Sequence, residues 1–320
     1  MSNRISDCCY FHRLSYCELT EQSCSALTSS VLSSAFSNLS ELDMSHNDLL
    51  DLGVKHLGEG LESPHCKLKI LKLSGCQVTE KGCSFLASSL LSNTASRLEH
   101  LDLSYNHPGD IGTKRLTDIV EAPEIKLRAV LLDHCGAYRL KPGIKKYGRE
   151  LKLDENTASK RLILEGDRKV RTVKKVEEKP ARPENEDRFK RSQVLCAEGL
   201  KGLCYWEVEW SGMVGIAVAY KRVGRKLDSS GGLGCNEMSW SLNCSRSKCT
   251  AMHGKTSKPL KLPSSQKIAV LLDWEGGTLS YYSVSSEKLS LIHTFHAKFT
   301  EPLFPAFWFK TGSVTLCDIN

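Results

Sequence analysis

The sequence predicts an α/β solenoid of strand–helix repeats followed by an all-β sandwich. Three observations carry this. A nine-residue pattern recurs every 29 or 30 residues through the first 135 positions. From about residue 195 onward, helical spacing gives way to short alternating segments separated by turn residues. At the changeover stands Tyr205-Trp206-Glu207-Val208-Glu209-Trp210, with strict period 2. Trp206, Val208 and Trp210 fall on one face and Glu207 and Glu209 on the other, as in a half-buried strand.

The repeat comes first in the chain. Leu39-Ser-Glu-Leu42-Asp-Met44-Ser-His-Asn47 matches Leu68-Lys-Ile-Leu71-Lys-Leu73-Ser-Gly-Cys76, Leu98-Glu-His-Leu101-Asp-Leu103-Ser-Tyr-Asn106 and Leu127-Arg-Ala-Val130-Leu-Leu132-Asp-His-Cys135. A partial copy is Leu14-Ser-Tyr-Cys17. The L-x-x-L-x-L-x-x-N/C form at this period resembles the leucine-rich repeat. The closing series Cys17, Asn47, Cys76, Asn106, Cys135 resembles its ribonuclease-inhibitor subclass. A side chain there turns inward and must pair backbone groups opened by the bend, because buried N–H and C=O groups are costly unpaired. Asn does this well and Cys more weakly, so these cysteines are structural rather than reactive. Thr20-Glu21 and Thr79-Glu80 open helices between the strands, and Phe85, Leu86 and Leu90 are spaced for an inward face. Each repeat buries its apolar edge only against a neighbour. With a degenerate first copy and no polar cap before it, the chain is expected to be the C-terminal part of a longer architecture or a shortened relative of one.

Outward-facing strand positions form columns: Asp43, Lys72, Asp102, Leu131, and His46, Gly75, Tyr105, His134. They are either a partner surface or an ordinary solvated face. Asp43, Lys72, Asp102 and Tyr105 are the partner-binding candidates here. His46 and His134 stand too many repeats apart to share a metal.

Gly136–Arg149 is basic and carries the turn signal Pro142-Gly143, which puts a domain boundary near Gly148. Leu151-Lys-Leu153-Asp154-Glu-Asn156-Thr157-Ala158 then resembles the PRY segment, with Asp154 and Thr157 as local turn caps. Arg168–Arg191 is dense in charge of both signs with one aromatic, Phe189, and is expected to be a solvated loop. Alternation continues in Val214–Tyr220, Met238–Leu242, Lys267–Trp274 and Thr278–Tyr282, with Glu275-Gly276-Gly277 as a hairpin turn. Trp240-Ser-Leu242-Asn-Cys244, Leu272-Asp273-Trp274 and Glu301-Pro302-Leu303-Phe304-Pro305 follow Tyr205–Val208 in the order seen in SPRY domains.

Leucine-rich repeats running into PRY–SPRY resemble the C-terminal half of the NACHT and leucine-rich-repeat NOD-like receptors of bony fishes. The resemblance divides the chain into a leucine-rich-repeat domain over 1–146, a PRY segment over 147–194 and a SPRY domain over 195–320. It assigns Trp206, Trp240 and Asp273 to core and turn. It implies recognition by loops at one edge of the sandwich: Lys174–Arg191, Lys221–Asn236, Ser245–Pro259 and Phe307–Gly312. The third is basic, and Arg246, Lys248, His253 and Lys255 are its candidates. Trp308 and Phe309, placed beside it by the same resemblance, add the aromatic anchors that dominate interface energies; for Trp308 plain core packing is the competing assignment.

Composition limits the chemistry. Net charge is +7 and hydrophobic content 40% over 320 residues, ordinary globular values that do not by themselves mark a nucleic-acid binder. Met1–Tyr16 holds no apolar run long enough for a signal peptide, and no segment has 18 uninterrupted apolar residues. The 14 cysteines are therefore expected to be reduced in a cytoplasmic protein, and no Cys-x-x-Cys suggests a zinc site. Cys244, Cys249 and His253, with Cys235, are only loosely metal-like. Gly254-Lys255-Thr256 echoes a P-loop, but Cys249 stands where a glycine is needed. Asn38-Leu-Ser40 and Asn243-Cys-Ser245 are glycosylation sequons only in an exported chain.

The expectation is a non-catalytic protein-recognition module of innate-immune type. It needs no cofactor or metal, and its partners are other proteins, host signalling or pathogen-derived, rather than membrane or nucleic acid. Two alternatives stay open: an adaptor whose basic loops hold a nucleic acid or anionic surface, and a substrate-recruiting subunit of a ubiquitin ligase.

Overall fold

The computed structural model describes residues 11–141, 143–172, 183–227, 231–286 and 288–319. The chain divides into two compact units, Met1–Tyr147 and Gly148–Asn320.

In the first unit five three-residue strands run parallel in chain order: β1 (Phe11–Arg13), β2 (Glu41–Asp43), β3 (Ile70–Lys72), β4 (His100–Asp102) and β5 (Ala129–Leu131). The leucines of the repeat lie in register, Leu42 beside Leu71 and Leu71 beside Leu101. Helices α1 (Glu21–Leu27), α2 (Leu50–Leu61), α3 (Glu80–Ser92) and α4 (Gly109–Glu121) return the chain between strands. Leu42, Leu71, Leu101, Leu57, Leu86 and Leu116 are buried to 1% exposure or less and form one core between strands and helices. Phe85, expected to point inward, is only half-buried and carries the Lys81 ammonium 5.9 Å from its ring.

The closing side chains knit neighbouring repeats. Asn106 Oδ1 accepts from the N–H groups of Cys76 and Val78, both at 2.9 Å. Its Nδ2 donates to the carbonyls of Leu73, Leu103 and Ser104. Asn47 does the same for Cys17, Leu19, Leu14, Met44 and Ser45. Cys76 Sγ donates only weakly, to Met44 O at 3.3 Å, and Cys135 Sγ to Leu103 O at 3.5 Å. Burial pushes the thiols of Cys76 and Cys83 up to about 12, so they remain protonated.

The second unit is antiparallel. Its short strands are β6 (Leu162–Glu165), β7 (Lys169–Thr172) and β8 (Gln193–Leu195). Two strands are long, β9 (Leu203–Tyr220) and β16 (Leu303–Leu316), and they pair along most of their lengths, Leu303 opposite Tyr220 through Leu316 opposite Val208. The remaining strands are β10 (Ser239–Cys244), β11 (Cys249–His253), β12 (Thr256–Leu260), β13 (Lys267–Asp273), β14 (Thr278–Ser285) and β15 (Lys288–His296). They order as β12-β11-β10-β9-β13-β14-β15, with β16 also joining β7 and β8.

Trp206, Val208 and Trp210 face a core shared with Val270, Leu279 and Phe307. On the opposite face Glu209 is exposed as the alternation suggests, but Glu207 is not. Glu207 is 4% exposed, accepts from the Tyr205 hydroxyl at 2.5 Å and pairs with Lys267 Nζ at 2.6 Å. A carboxylate can be buried when both its oxygens find such partners. Trp240 is buried and stacked on His253, and Asp273 Oδ1 caps the hairpin turn at Gly276 N–H. Asp154 Oδ1 accepts from Asn156 N–H, and Thr157 Oγ1 from Leu195 N–H, which ties the PRY turn to β8.

Candidate functional site

Alternation along β16 decides what its aromatic run can do. Phe307 and Phe309, at 0% and 5% exposure, point into the main core. Trp308 points to the other face of the sheet, where it is half-buried above a smaller cluster that includes Phe189, Leu195, Ala217 and Leu233. Three residues stand abreast there. Trp308 pairs with Gly215 of β9, and Gly215 pairs with Asn243 of β10. A Cβ built on Gly215 would lie 1.8 Å from Trp308 Nε1, so the indole lies across the bare glycine backbone. Trp308 Nε1 donates to Asn243 Oδ1 at 2.8 Å, and the same oxygen accepts from Ser241 Oγ at 2.6 Å. The ring is held by its N–H and by the glycine beneath it, and it offers its apolar surface.

Around it opens a cavity of ≈ 480 Å³. Trp308, Asn243 and Met252 line it from the strands; Gln193, Leu233 and Cys235 line it from β8 and the segment before β10. Gln193 is buried and fixes that wall, donating to Gly231 O at 2.7 Å and accepting from Leu233 N–H at 3.1 Å. The Arg225 guanidinium packs 4.3 Å over the Phe189 ring beneath. Arg161, Arg191 and Lys310 bring positive charge to the same cavity, and among the described residues no Asp or Glu lines it. Arg191 donates to Leu227 O.

The sequence candidates in this unit separate. Trp308 and Phe309 both line the cavity, but Trp308 is half-buried there whereas Phe309, at 5% exposure, belongs to the main core. The stretch Ser245–Pro259 is not one loop but most of the hairpin β11–β12. Arg246 and Lys248 sit in the turn before β11, and His253 and Lys255 at its far end. Four residue steps of strand, roughly 13 Å, separate the two pairs. None of the four lines the cavity. His253 is occupied, stacked on Trp240 at 4.6 Å with Nδ1 2.9 Å from Ser239 O. Cys244 and Cys249 face each other across the hairpin, buried. Among the described residues no three His, Cys, Asp or Glu side chains gather as metal ligands. The loop Lys174–Arg191 lies partly, over 174–182, outside the described residues, as do 228–230 of Lys221–Asn236. Arg161 and Gln193 are not singled out by the sequence, Asn243 appears there only in a sequon and within the Trp240–Cys244 motif, and Lys310 only as part of Phe307–Gly312.

The repeat unit answers its candidates differently. Asp43 is 8% exposed, accepts from Ser45 N–H at 3.0 Å and lies 4.0 Å from Arg13 Nε. Lys72 pairs with Glu41 at 2.6 Å, and Asp102 accepts from Ser104 N–H at 2.9 Å. These charges are engaged within the unit. The second column is a ledge of residues with positive φ: Tyr16, His46, Gly75, Tyr105 and His134. Gly75 alone lacks a ring, and the chain's own Tyr147 fills that place. Its hydroxyl lies 2.7 Å from His46 Nδ1 and 2.7 Å from where a Gly75 Cβ would stand. Buried Lys146 donates to Gly75 O at 2.7 Å and pairs with Asp48 at 2.6 Å. Arg139 donates to His134 O and Lys146 O, and packs 4.9 Å over Tyr105. Tyr105, a partner-facing candidate, is therefore partly covered by its own chain and half-buried. The basic junction, through Tyr147, is structure of the repeat unit; Pro142 lies outside the described residues.

Comparison with known proteins agrees with this architecture. Residues 203–318 match the SPRY domain, 151–200 the SPRY-associated PRY domain, and 37–58 and 65–87 the leucine-rich repeat. Stonustoxin subunit beta of Synanceia horrida is 41% identical over 167 residues, 50% of this chain and 23% of that one. Human NACHT, LRR and PYD domains-containing protein 12 is 41% identical over 123 residues, 38% of this chain and 11% of that one. The chain thus spans less than a quarter of the length of either relative. The crystal structure of the TRIM65 PSpry domain superposes with a TM-score of 0.50 at 28% identity, covering 55% of this chain and 93% of that one. Among the described residues no helix is long and apolar enough to cross a membrane. By sequence pattern, fold and family match together, the chain carries leucine-rich repeats followed by a PRY segment and a SPRY domain.

Proposed function

We propose that the chain is a non-catalytic recognition module that binds a protein partner through the Trp308 cavity of its SPRY domain. The observation that carries this is a half-buried indole, immobilised on Gly215 and Asn243, at the floor of an open ≈ 480 Å³ cavity. A pre-ordered aromatic in a partly desolvated pocket is what a binding hot spot requires, since little freedom is lost on association. The leucine-rich-repeat unit covers the middle of its own ledge, at His46, Gly75 and Tyr105, with Tyr147 and Arg139, so specificity is assigned to the SPRY unit. The NACHT- and leucine-rich-repeat relatives support an innate-immune sensor or adaptor in the cytoplasm. The toxin relatives share no more than about half of this chain, so their whole-protein activity is not carried over.

The test is capture of partners from cytosol by the intact chain, by Trp308→Ala and by Arg246→Ala/Lys248→Ala, with folding of each checked by thermal melting. A partner kept by the double variant and lost by Trp308→Ala supports the reading. Identical partner sets for all three chains refute it.

A further inference from the structure

Taking the Trp308 cavity as the recognition site, we propose that its ligand is an extended acidic peptide, with an apolar or aromatic side chain laid on the indole and a neighbouring carboxylate held by Arg161 and Lys310.

Charge carries the first half. The cavity is lined by Arg161, Arg191 and Lys310 and, among the described residues, by no acidic one. Some cations on neighbouring segments have carboxylate partners, Lys160 and Lys190 both pairing with Glu184 at 2.7 Å and Arg222 with Glu301 at 2.7 Å, while others of the unit, such as Arg246 and Lys258, have none among the described residues but do not line the cavity. Arg161 and Lys310 are exposed and pair with no carboxylate among the described residues. Two cations left unneutralised at the mouth of one cavity complement a ligand of opposite sign, and a guanidinium suits the fork of a carboxylate.

The indole carries the second half. Its N–H is already committed to Asn243 at 2.8 Å, so it has no donor left for a polar ligand atom. What remains is ring surface, with the Met252 and Leu233 side chains nearby. That surface takes apolar and aromatic groups. A nucleic acid fits less well. It calls for a one-sign groove with successive stacking rings, and here only Trp308 offers ring surface, the other lining aromatic, Phe309, being 5% exposed, with Glu184, Asp187 and Glu237 on the neighbouring segments.

The experiment is selection of a random twelve-residue phage-displayed library on the full 320-residue chain, on Trp308→Ala and on Arg161→Glu/Lys310→Glu. Thermal melting confirms that each is folded. The expected pool from the unaltered chain is enriched in Asp and Glu beside an apolar or aromatic residue. Its peptides bind Trp308→Ala at least tenfold more weakly, and the charge-swapped chain selects basic peptides instead. Alkylation of the exposed Cys235 thiol, which lines the cavity, slows when a selected peptide is present. A pool without acidic enrichment, or one unchanged by the charge swap, overturns the proposal while leaving the recognition reading standing. A fluorescein-labelled twelve-mer of dT that displaces the peptides at equal affinity also overturns it, in favour of a general polyanion site. If the unaltered chain and Trp308→Ala select the same pool, the recognition reading itself fails.

Discussion

Gly215→Ala should dislodge Trp308 without removing it. The added Cβ would lie 1.8 Å from Nε1, 2.1 Å from Cδ1 and 2.6 Å from Cε2 of the indole. Ordinary carbon contacts are about 3.5–4 Å, so the ring must move by roughly 2 Å. The strands cannot yield instead, because Gly215 is paired on both sides, to β16 and to β10. Moving the ring breaks the 2.8 Å bond to Asn243, a loss of about 1 kcal/mol, and overpacking adds about 1–3 kcal/mol. A total of about 2–4 kcal/mol lowers the melting temperature of a unit this size by roughly 4–16 °C. The sign reverses once the ring is gone. With Trp308→Ala already in place, Gly215→Ala meets no indole and should stabilise the strand by about 0.5 kcal/mol, as alanine does over glycine in an extended segment. The assay is a double-mutant cycle by thermal and denaturant unfolding, with tryptophan emission reporting exposure of the ring. If Gly215→Ala costs the same in both backgrounds, the indole does not lie on the glycine and the account of the site is wrong.

Three further outcomes concern the repeat unit. Asn106→Ala removes the partner of two N–H groups and three carbonyls, and should cost about 5 kcal/mol, at about 1 kcal/mol for each of the five stranded groups, in denaturant unfolding; Asn106→Cys should recover part of it, since cysteine closes three other copies of the repeat. Gly75→Ala places a methyl against the Tyr147 hydroxyl at a φ of +62°, so amide exchange at residues 143–147 should accelerate at least tenfold, and Tyr147→Phe should not reproduce the backbone part of that effect. His46 gives a pH dependence. Burial, and then the Lys146 cation, lower its pKa from 6.5 to about 4, against the opposing pull of Asp43. Between those values the unfolded chain binds the proton and the folded unit does not, so stability is complete above pH 6.5 and falls as pH drops toward 4. The gap is worth on the order of 3 kcal/mol at 1.36 kcal/mol per pH unit, and melting between about pH 7 and 5, above the carboxylate range, should show its onset and lose it in His46→Gln.

Much of this fold was legible because each repeat meets its own needs within about thirty residues. The closing Asn or Cys, the strand leucines and the helix-opening Thr all answer local demands, and the structure seats them where the pattern placed them. The hairpin β11–β12 was hidden by its composition. Thr256–Leu260 carries Lys258 and Pro259 and lies mostly exposed at the edge of the sheet. An edge strand needs no alternating apolar face and tolerates a proline, so it reads as a loop. Splitting that stretch into two turns is what removed Arg246, Lys248, His253 and Lys255 from one surface.

The site itself could not be read from spacing. Asn243 and Trp308 are 65 positions apart and meet only because β9 lies between β10 and β16 with Gly215 between them. The signal that could have found it was a glycine inside Val214-Gly-Ile216-Ala-Val218, a place where a strand gains nothing from lacking a side chain unless something large lies on it. The same physics appears twice in the chain with opposite results. At Gly75 the missing side chain admits Tyr147, which the chain supplies, and the middle of the ledge is covered. At Gly215 the missing side chain admits Trp308, and the ring that fills the gap leaves its own outer surface half-buried beside Arg161 and Lys310. A protein gains nothing for folding from holding a tryptophan so firmly and covering it so little. That imbalance, more than any motif, separates the surface used for structure from the one proposed for a partner.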